Sequence, residues 1–171
     1  MDQTDRTDAD GRGDGLPNVD PEPQPQNPTD GRGDGPDDID KTVAFTAKLI
    51  PCDNYPAHNG VLKFRHILVN KREGYDATTG VFTCPMAGFY YFTVHASVYG
   101  RGEVIIQKNG VKVVSAYHTT LPNRMSQVAS ISSVIKLSLG DRVWVDLWGC
   151  GRNDIFCSAD NDTVFVGFRL S

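Results

Sequence analysis

Residues 64–94 read FRHILVNKREGYDATTGVFTCPMAGFYYFTV. The stretch holds two apolar runs with a Thr79-Gly80 turn between them, then a Cys84-Pro85 break, then an aromatic ladder, Phe89-Tyr90-Tyr91-Phe92. Strand side chains alternate with period two, so Tyr90, Phe92 and Val94 point to one face and Phe89, Tyr91, Thr93 and His95 to the other. The first set suits the core of a β-sandwich. The second sets two aromatics outward on one strand, and a subunit interface is the ordinary way to cover such a patch.

Working outward, short strand-like runs separated by turn signals fill residues 41–171 at the spacing of an all-β sandwich. Runs are expected at 43–49, 62–69, 81–83, 89–98, 103–107, 111–116, 125–139, 142–148, 155–159 and 163–170, with polar loops at 51–60 and 70–80. Asn109-Gly110 between β-branched runs signals a hairpin, because both residues tolerate positive φ. No stretch carries a helical apolar period. About ten strands fit a two-sheet jelly roll, which manages its edges by wrapping. The closing run alternates Val164, Val166, Phe168 and Leu170 against Phe165, Gly167 and Arg169. Phe165 and Gly167 are expected to join Phe89, Tyr91 and His95 at the subunit interface.

Charge divides the chain at about residue 40. Residues 1–40 hold twelve acids against Arg6, Arg12 and Arg32, a net of −9; the whole chain is −4, which leaves +5 for residues 41–171. A mildly basic domain favours anionic partners, but the charge is too diffuse to argue for nucleic acid. No stretch approaches the roughly 20 apolar residues of a membrane span. Met1 is followed by polar and acidic residues rather than a signal-peptide pattern, so either a cytosolic protein or a mature or recombinant form with its leader removed is expected. Six prolines and few large apolar residues give residues 1–40 nothing to fold around, and a disordered acidic tail is expected.

That tail repeats itself: Asp10-Gly-Arg-Gly-Asp-Gly15 recurs as Asp30-Gly-Arg-Gly-Asp-Gly35. Three readings stand. Arg12-Gly13-Asp14 and Arg32-Gly33-Asp34 resemble the integrin-binding adhesion tripeptide. Asp8, Asp10 and Asp14 partly follow a Ca2+ loop, although Arg12 stands where a ligand oxygen is wanted. The third reading is a solvated acidic spacer.

Catalysis finds little support. His58, His66, His95 and His118 are scattered, and the chain has no nucleophile elbow, phosphate loop or zinc-protease helix motif. Cys52, Cys84, Cys150 and Cys157 lack zinc spacing and permit three full disulfide pairings, or buried thiols. No cofactor is required by any motif.

Phe64, Asn70, Tyr75, Phe82, Gly88, Tyr90 and Phe92 follow the spaced signature of the complement component 1q globular-head family. Further marks are Val43-Ala-Phe45, residues 79–85, Lys108-Asn-Gly110, residues 139–144 and residues 160–168. Residues 41–171 resemble this family throughout. Val94 departs from it, standing where the signature has an aromatic, and so does Arg169, where an aliphatic is usual. Residues 1–40 lack the collagen triplet, so a collagen stalk is not expected within them. The resemblance implies a ten-stranded jelly roll like that of tumour necrosis factor, assembled as an extracellular homotrimer. It also implies a ligand-recognition role, on microbial glycans or lipids in innate immunity, or on receptors as a signal. Jelly-roll strand order would place Cys157 beside Cys84, and a local Cys150–Cys157 pair is the other option.

The ligand surface is expected in the loops at 55–60, 117–124 and 150–154, with Lys71, Arg72, Arg101, Arg124 and Arg152 meeting anionic groups. Asn161-Asp162-Thr163 is a glycosylation sequon.

Overall fold

A computed structural model of the chain describes residues 41–50, 60–119, 125–147, 153–158 and 163–171. Their strands are β1 (Ala44–Lys48), β2 (Gly60–Val61), β3 (His66–Lys71), β4 (Tyr75–Asp76), β5 (Val81–Thr83), β6 (Gly88–Val98), β7 (Gly102–Lys108), β8 (Val111–His118), β9 (Gln127–Leu137), β10 (Arg142–Leu147), β11 (Ile155–Phe156) and β12 (Val164–Arg169). Ten of these answer the ten expected runs. The two-residue strands β2 and β4 are additions, β2 at the end of the loop expected at 51–60 and β4 within the one expected at 70–80.

The strands form two six-stranded antiparallel sheets, one of β9, β6, β12, β11, β1 and β3, the other of β4, β5, β10, β2, β7 and β8. Strand β6 organises the first. One edge pairs along its whole length with β9, while β12 takes residues 90–95 of the other edge and β11 takes Ser97 and Val98.

Core side chains come from alternate positions on both sheets: Tyr90, Phe92 and Val94 on β6, Val104 and Ile106 on β7, Val143, Val145 and Leu147 on β10. An aromatic cluster fills the centre. The Phe45 ring stacks on Tyr75 at 4.8 Å and on Phe82 at 5.3 Å, and meets Phe165 edge-on at 4.9 Å. Tyr75 belongs to the stretch expected as a polar loop, yet its side chain is buried. Its hydroxyl accepts the Phe64 N–H at 3.1 Å, and burial pushes its pKa up to about 12. The Asn70 side chain brackets that loop, donating to Tyr75 O at 2.8 Å and accepting the Tyr75 N–H at 3.1 Å.

Phe165 and Gly167 face this core rather than a subunit interface. Phe165 is fully buried, packed against Phe45, Phe64 and Phe92. A Cβ at Gly167 would lie 2.7 Å from the Phe92 ring and would also strike the Phe45 ring. The glycine is therefore what lets two aromatic rings close over β12. The outward set of that strand is Val164, Val166 and Phe168.

Cys84 and Cys157 are both buried, but at opposite ends of β6, so of the two pairings left open Cys84–Cys157 is not formed. Cys84 lies near Tyr90, and both side chains donate to Met86 O, at 3.1 and 2.6 Å. Cys157 follows β11, which pairs with Ser97 and Val98, and its sulfur sits 3.3 Å from Leu49 O. Cys52 and Cys150 lie outside the described residues.

Two turns are tied together at one end of the sandwich. Asn109 and Gly110 have φ of 51° and 83°, the mirror-image hairpin geometry expected of them. The Asn109 side chain accepts the Arg142 N–H at 2.8 Å and donates to Asp141 at 2.9 Å, while Lys108 Nζ lies 2.9 Å from the Asp141 carboxylate. Asp141 also accepts the Ser138 N–H at 2.8 Å. Lys108, then the Ser138 and Asn109 hydrogen bonds, hold the Asp141 carboxyl at about 2. Thr78 and Thr79 do the same for Asp76, also to about 2. A folded-state pKa below the unfolded value gives stability that is full above about pH 4 and lost as pH falls toward 2. The urea midpoint is therefore expected to drop between pH 5 and pH 2, and to drop less in Asp141→Asn. An equal drop in that variant would contradict the assignment.

Candidate functional site

The outer face of the β6 sheet is where outward positions of several strands converge. Cross-strand pairing sets Tyr91 beside Phe168 and Val134, Thr93 beside Val166 and Ser132, and His95 beside Val164 and Ser130. Phe89 lies one step further along, 47 % exposed, with Lys136 Nζ 5.8 Å from its ring centre. Val134 is 56 % exposed and Phe168 is 39 % exposed. The Tyr91 and Phe168 rings lie 5.4 Å apart. Of the five expected interface residues, the fold thus brings Phe89, Tyr91 and His95 to one surface.

A hollow of about 330 Å³ opens on this face, lined by Tyr91, Thr93, His95, Ser130, Ile131 and Ser132. His95 Nδ1 lies 2.7 Å from Ser130 Oγ. The sequence reading missed the serines because it treated residues 125–139 as one long run without assigning faces. Alternation along β9 was the available signal, since Ser130, Ser132 and Val134 fall on one side.

Arg101 sits at the β6–β7 turn, its guanidinium 6.0 Å from the Tyr117 ring centre. Its backbone N–H donates to Asp154 at 3.1 Å, and its carbonyl accepts the Asp154 N–H at 2.7 Å. Lys71 is exposed at the end of β3, and Arg72 begins the following turn with φ of 64°. These basic residues belong to different parts of the surface and do not form one patch. Arg124, Arg152, Asn161 and both Arg-Gly-Asp copies, Arg12-Gly13-Asp14 and Arg32-Gly33-Asp34, lie outside the described residues. The hydroxyl of the sequon's Thr163 is engaged in the fold: it accepts the Ser97 N–H at 2.9 Å and donates to Phe156 O.

Residues 44–170 match the family model described as the C1q domain. The chain belongs to the C1q-domain family. Human complement C1q and tumor necrosis factor-related protein 9A is 42 % identical to it over 130 residues, which are 74 % of this chain and 38 % of that protein. Human complement C1q tumor necrosis factor-related protein 5 is 35 % identical over 130 residues, 53 % of its length. The C1q domain here therefore corresponds to about half or less of these relatives. The globular domain of zebrafish complement 1qA superposes with a TM-score of 0.62 at 25 % identity, covering 75 % of this chain and 98 % of that one. Murine APRIL shares the fold, with a TM-score of 0.58 at 13 % identity over 76 % of this chain and the whole of that one.

The family marks now have physical roles in this C1q domain. Phe45, Tyr75, Phe82, Phe92 and Phe165 are the aromatic cluster, and Lys108-Asn-Gly110 with Asp141-Arg142 is the paired-turn lock. Val94, the departure from the signature, is fully buried on β6, paired with Ile131 on β9 and Phe165 on β12.

Proposed function

We propose that this C1q domain is a secreted ligand-recognition module that works as a homotrimer, with microbial surface glycans or lipids as its ligand class. The observation that carries the assembly is the outer face of the β6 sheet, where Phe89, Val134 and Phe168 stand exposed around the half-buried Tyr91 on the neighbouring strands β6, β9 and β12. Aromatic and aliphatic side chains gathered on a rigid sheet gain by being covered, and a second copy is the ordinary cover. Basic loop residues such as Arg101 suit anionic ligands. This reading assigns no catalysis.

A second reading is a signal acting on a cell-surface receptor. The relatives named as tumor necrosis factor-related proteins favour it, and the two Arg-Gly-Asp copies would direct it to integrins. Deleting residues 1–40 separates the two. Binding to a glycan and lipid array is expected to survive the deletion, whereas integrin-dependent cell adhesion would vanish with it. An array on which the intact protein binds nothing, while cells still respond to it, would reject recognition of microbial surfaces.

A further inference from the structure

The six strands of the β6 sheet carry no aspartate or glutamate. Strands β1, β3, β6, β9, β11 and β12 hold Lys48, Lys71, Lys136, Arg169, His66 and His95, and no acid. The other sheet differs, with Asp76, Glu103 and Asp146 on its strands. His95 stands in the middle of the acid-free sheet. Pairing runs across it in one row, Ser130 on β9, His95 on β6, Val164 on β12, Lys48 on β1 and His66 on β3. At about 4.8 Å between strands, the His95 and Lys48 backbones lie about 10 Å apart.

We infer that His95 makes the assembly pH-gated, holding copies together when neutral and releasing them when protonated. The inference rests on the assembly through this face proposed above. A neutral imidazole shares a hydrogen bond with the Ser130 hydroxyl at Nδ1 in either tautomer and can be covered at little cost. An imidazolium covered by another copy would lose its water, and no carboxylate among the described residues of the sheet would answer it. The charged groups on the strands paired around it are all basic, Lys136 from β9, Arg169 from β12, Lys48 from β1, His66 and Lys71 from β3, with none from β11; the one titratable neighbour on its own outward face, the Tyr91 phenol, is uncharged when neutral and supplies no carboxylate. Arg169 is turned away, donating to Ala87 O at 3.3 Å.

Covering therefore lowers the imidazole's affinity for a proton relative to the separate protomer. A group depressed in this way stabilises the assembly above its free pKa and withdraws that support as pH falls. Each protomer that must shed one proton to be covered changes association by up to about tenfold per pH unit, or about a thousandfold per unit for a trimer, so acidification from pH 7.5 to 5.5 is expected to dissociate it.

Sedimentation of the full chain at pH 7.5 and 5.5, beside His95→Gln, tests this. The glutamine still bonds to Ser130 but takes up no proton. The wild type is expected to be a trimer at pH 7.5 and to fall to protomers at pH 5.5 with its β circular dichroism intact, while His95→Gln stays assembled at both. A wild type assembled equally at both values overturns the switch and leaves the assembly standing. The same acid dissociation in His95→Gln also overturns the switch, as does loss of the β signal at pH 5.5. A monomer at pH 7.5 overturns the assembly and the switch together.

Discussion

Phe45→Ala is expected to cost about 3–5 kcal/mol of folding stability. The side chain is 1 % exposed and sits where both sheets meet, touching the rings of Tyr75, Phe82, Phe92 and Phe165. Removing it deletes the transfer energy of a whole ring and leaves a cavity walled by four other aromatics. Those walls cannot close easily. Phe165 and Phe92 are pinned by their own strands, and Gly167 beneath them has no side chain to move into the gap. A domain of this size has only about 5–15 kcal/mol in hand, so the variant should unfold at a much lower urea concentration than the wild type. Urea denaturation followed by tryptophan fluorescence gives the difference. A cost under about 1 kcal/mol would mean that the ring cluster is not the keystone of the core.

The same cluster shows what was legible beforehand and what was not. The succession of strand runs along the chain and the inward set Tyr90, Phe92 and Val94 could be read from alternation, because β6 is long and its two faces differ, and the Asn109-Gly110 hairpin could be read from its turn residues. Strand β12 misled for a physical reason. Its outward set, Val164, Val166 and Phe168, is more hydrophobic on a simple count than its inward set, Phe165 and Gly167. Packing reverses the count: two rings from other strands need the space that only a glycine leaves. The run expected at 62–69 misled differently. Leu62 and Phe64 enter the core from irregular chain, and the strand itself, His66–Lys71, is a largely exposed edge. Ruling out the Cys84–Cys157 option needed the length of β6, which holds the two residues apart. Within the candidate site, Tyr91 and His95 were legible from β6. The hydroxyls of Ser130 and Ser132 were not, because they become part of the site only through the register of β9 against β6. The absence of acids from that sheet was in the sequence throughout, but it acquires meaning only once strand pairing shows which strands share a sheet.

Val134→Lys is expected to abolish assembly while leaving the protomer folded. The side chain stands outward on β9, beside Tyr91 and away from the core, so lysine fits there without a cavity or an overpacked neighbour. Its charge would lie in the apolar patch made with Tyr91 and Phe168, on a sheet whose charged side chains are already all basic. Covering it would demand desolvation with no carboxylate on the sheet to compensate. Association should weaken by at least about a hundredfold, on the scale of an uncompensated charge buried at an interface, while the urea midpoint of the separate protomer moves by little. A lysine on a face that stays open to water would change neither quantity.

Sedimentation equilibrium of the wild type and Val134→Lys at pH 7.5 tests the central claim most directly. The wild type should give about 56 kDa, three times the 18.7 kDa chain, and the variant should give the mass of a single chain. A trimer that survives Val134→Lys unchanged would place the interface elsewhere, and a monomeric wild type would contradict the account.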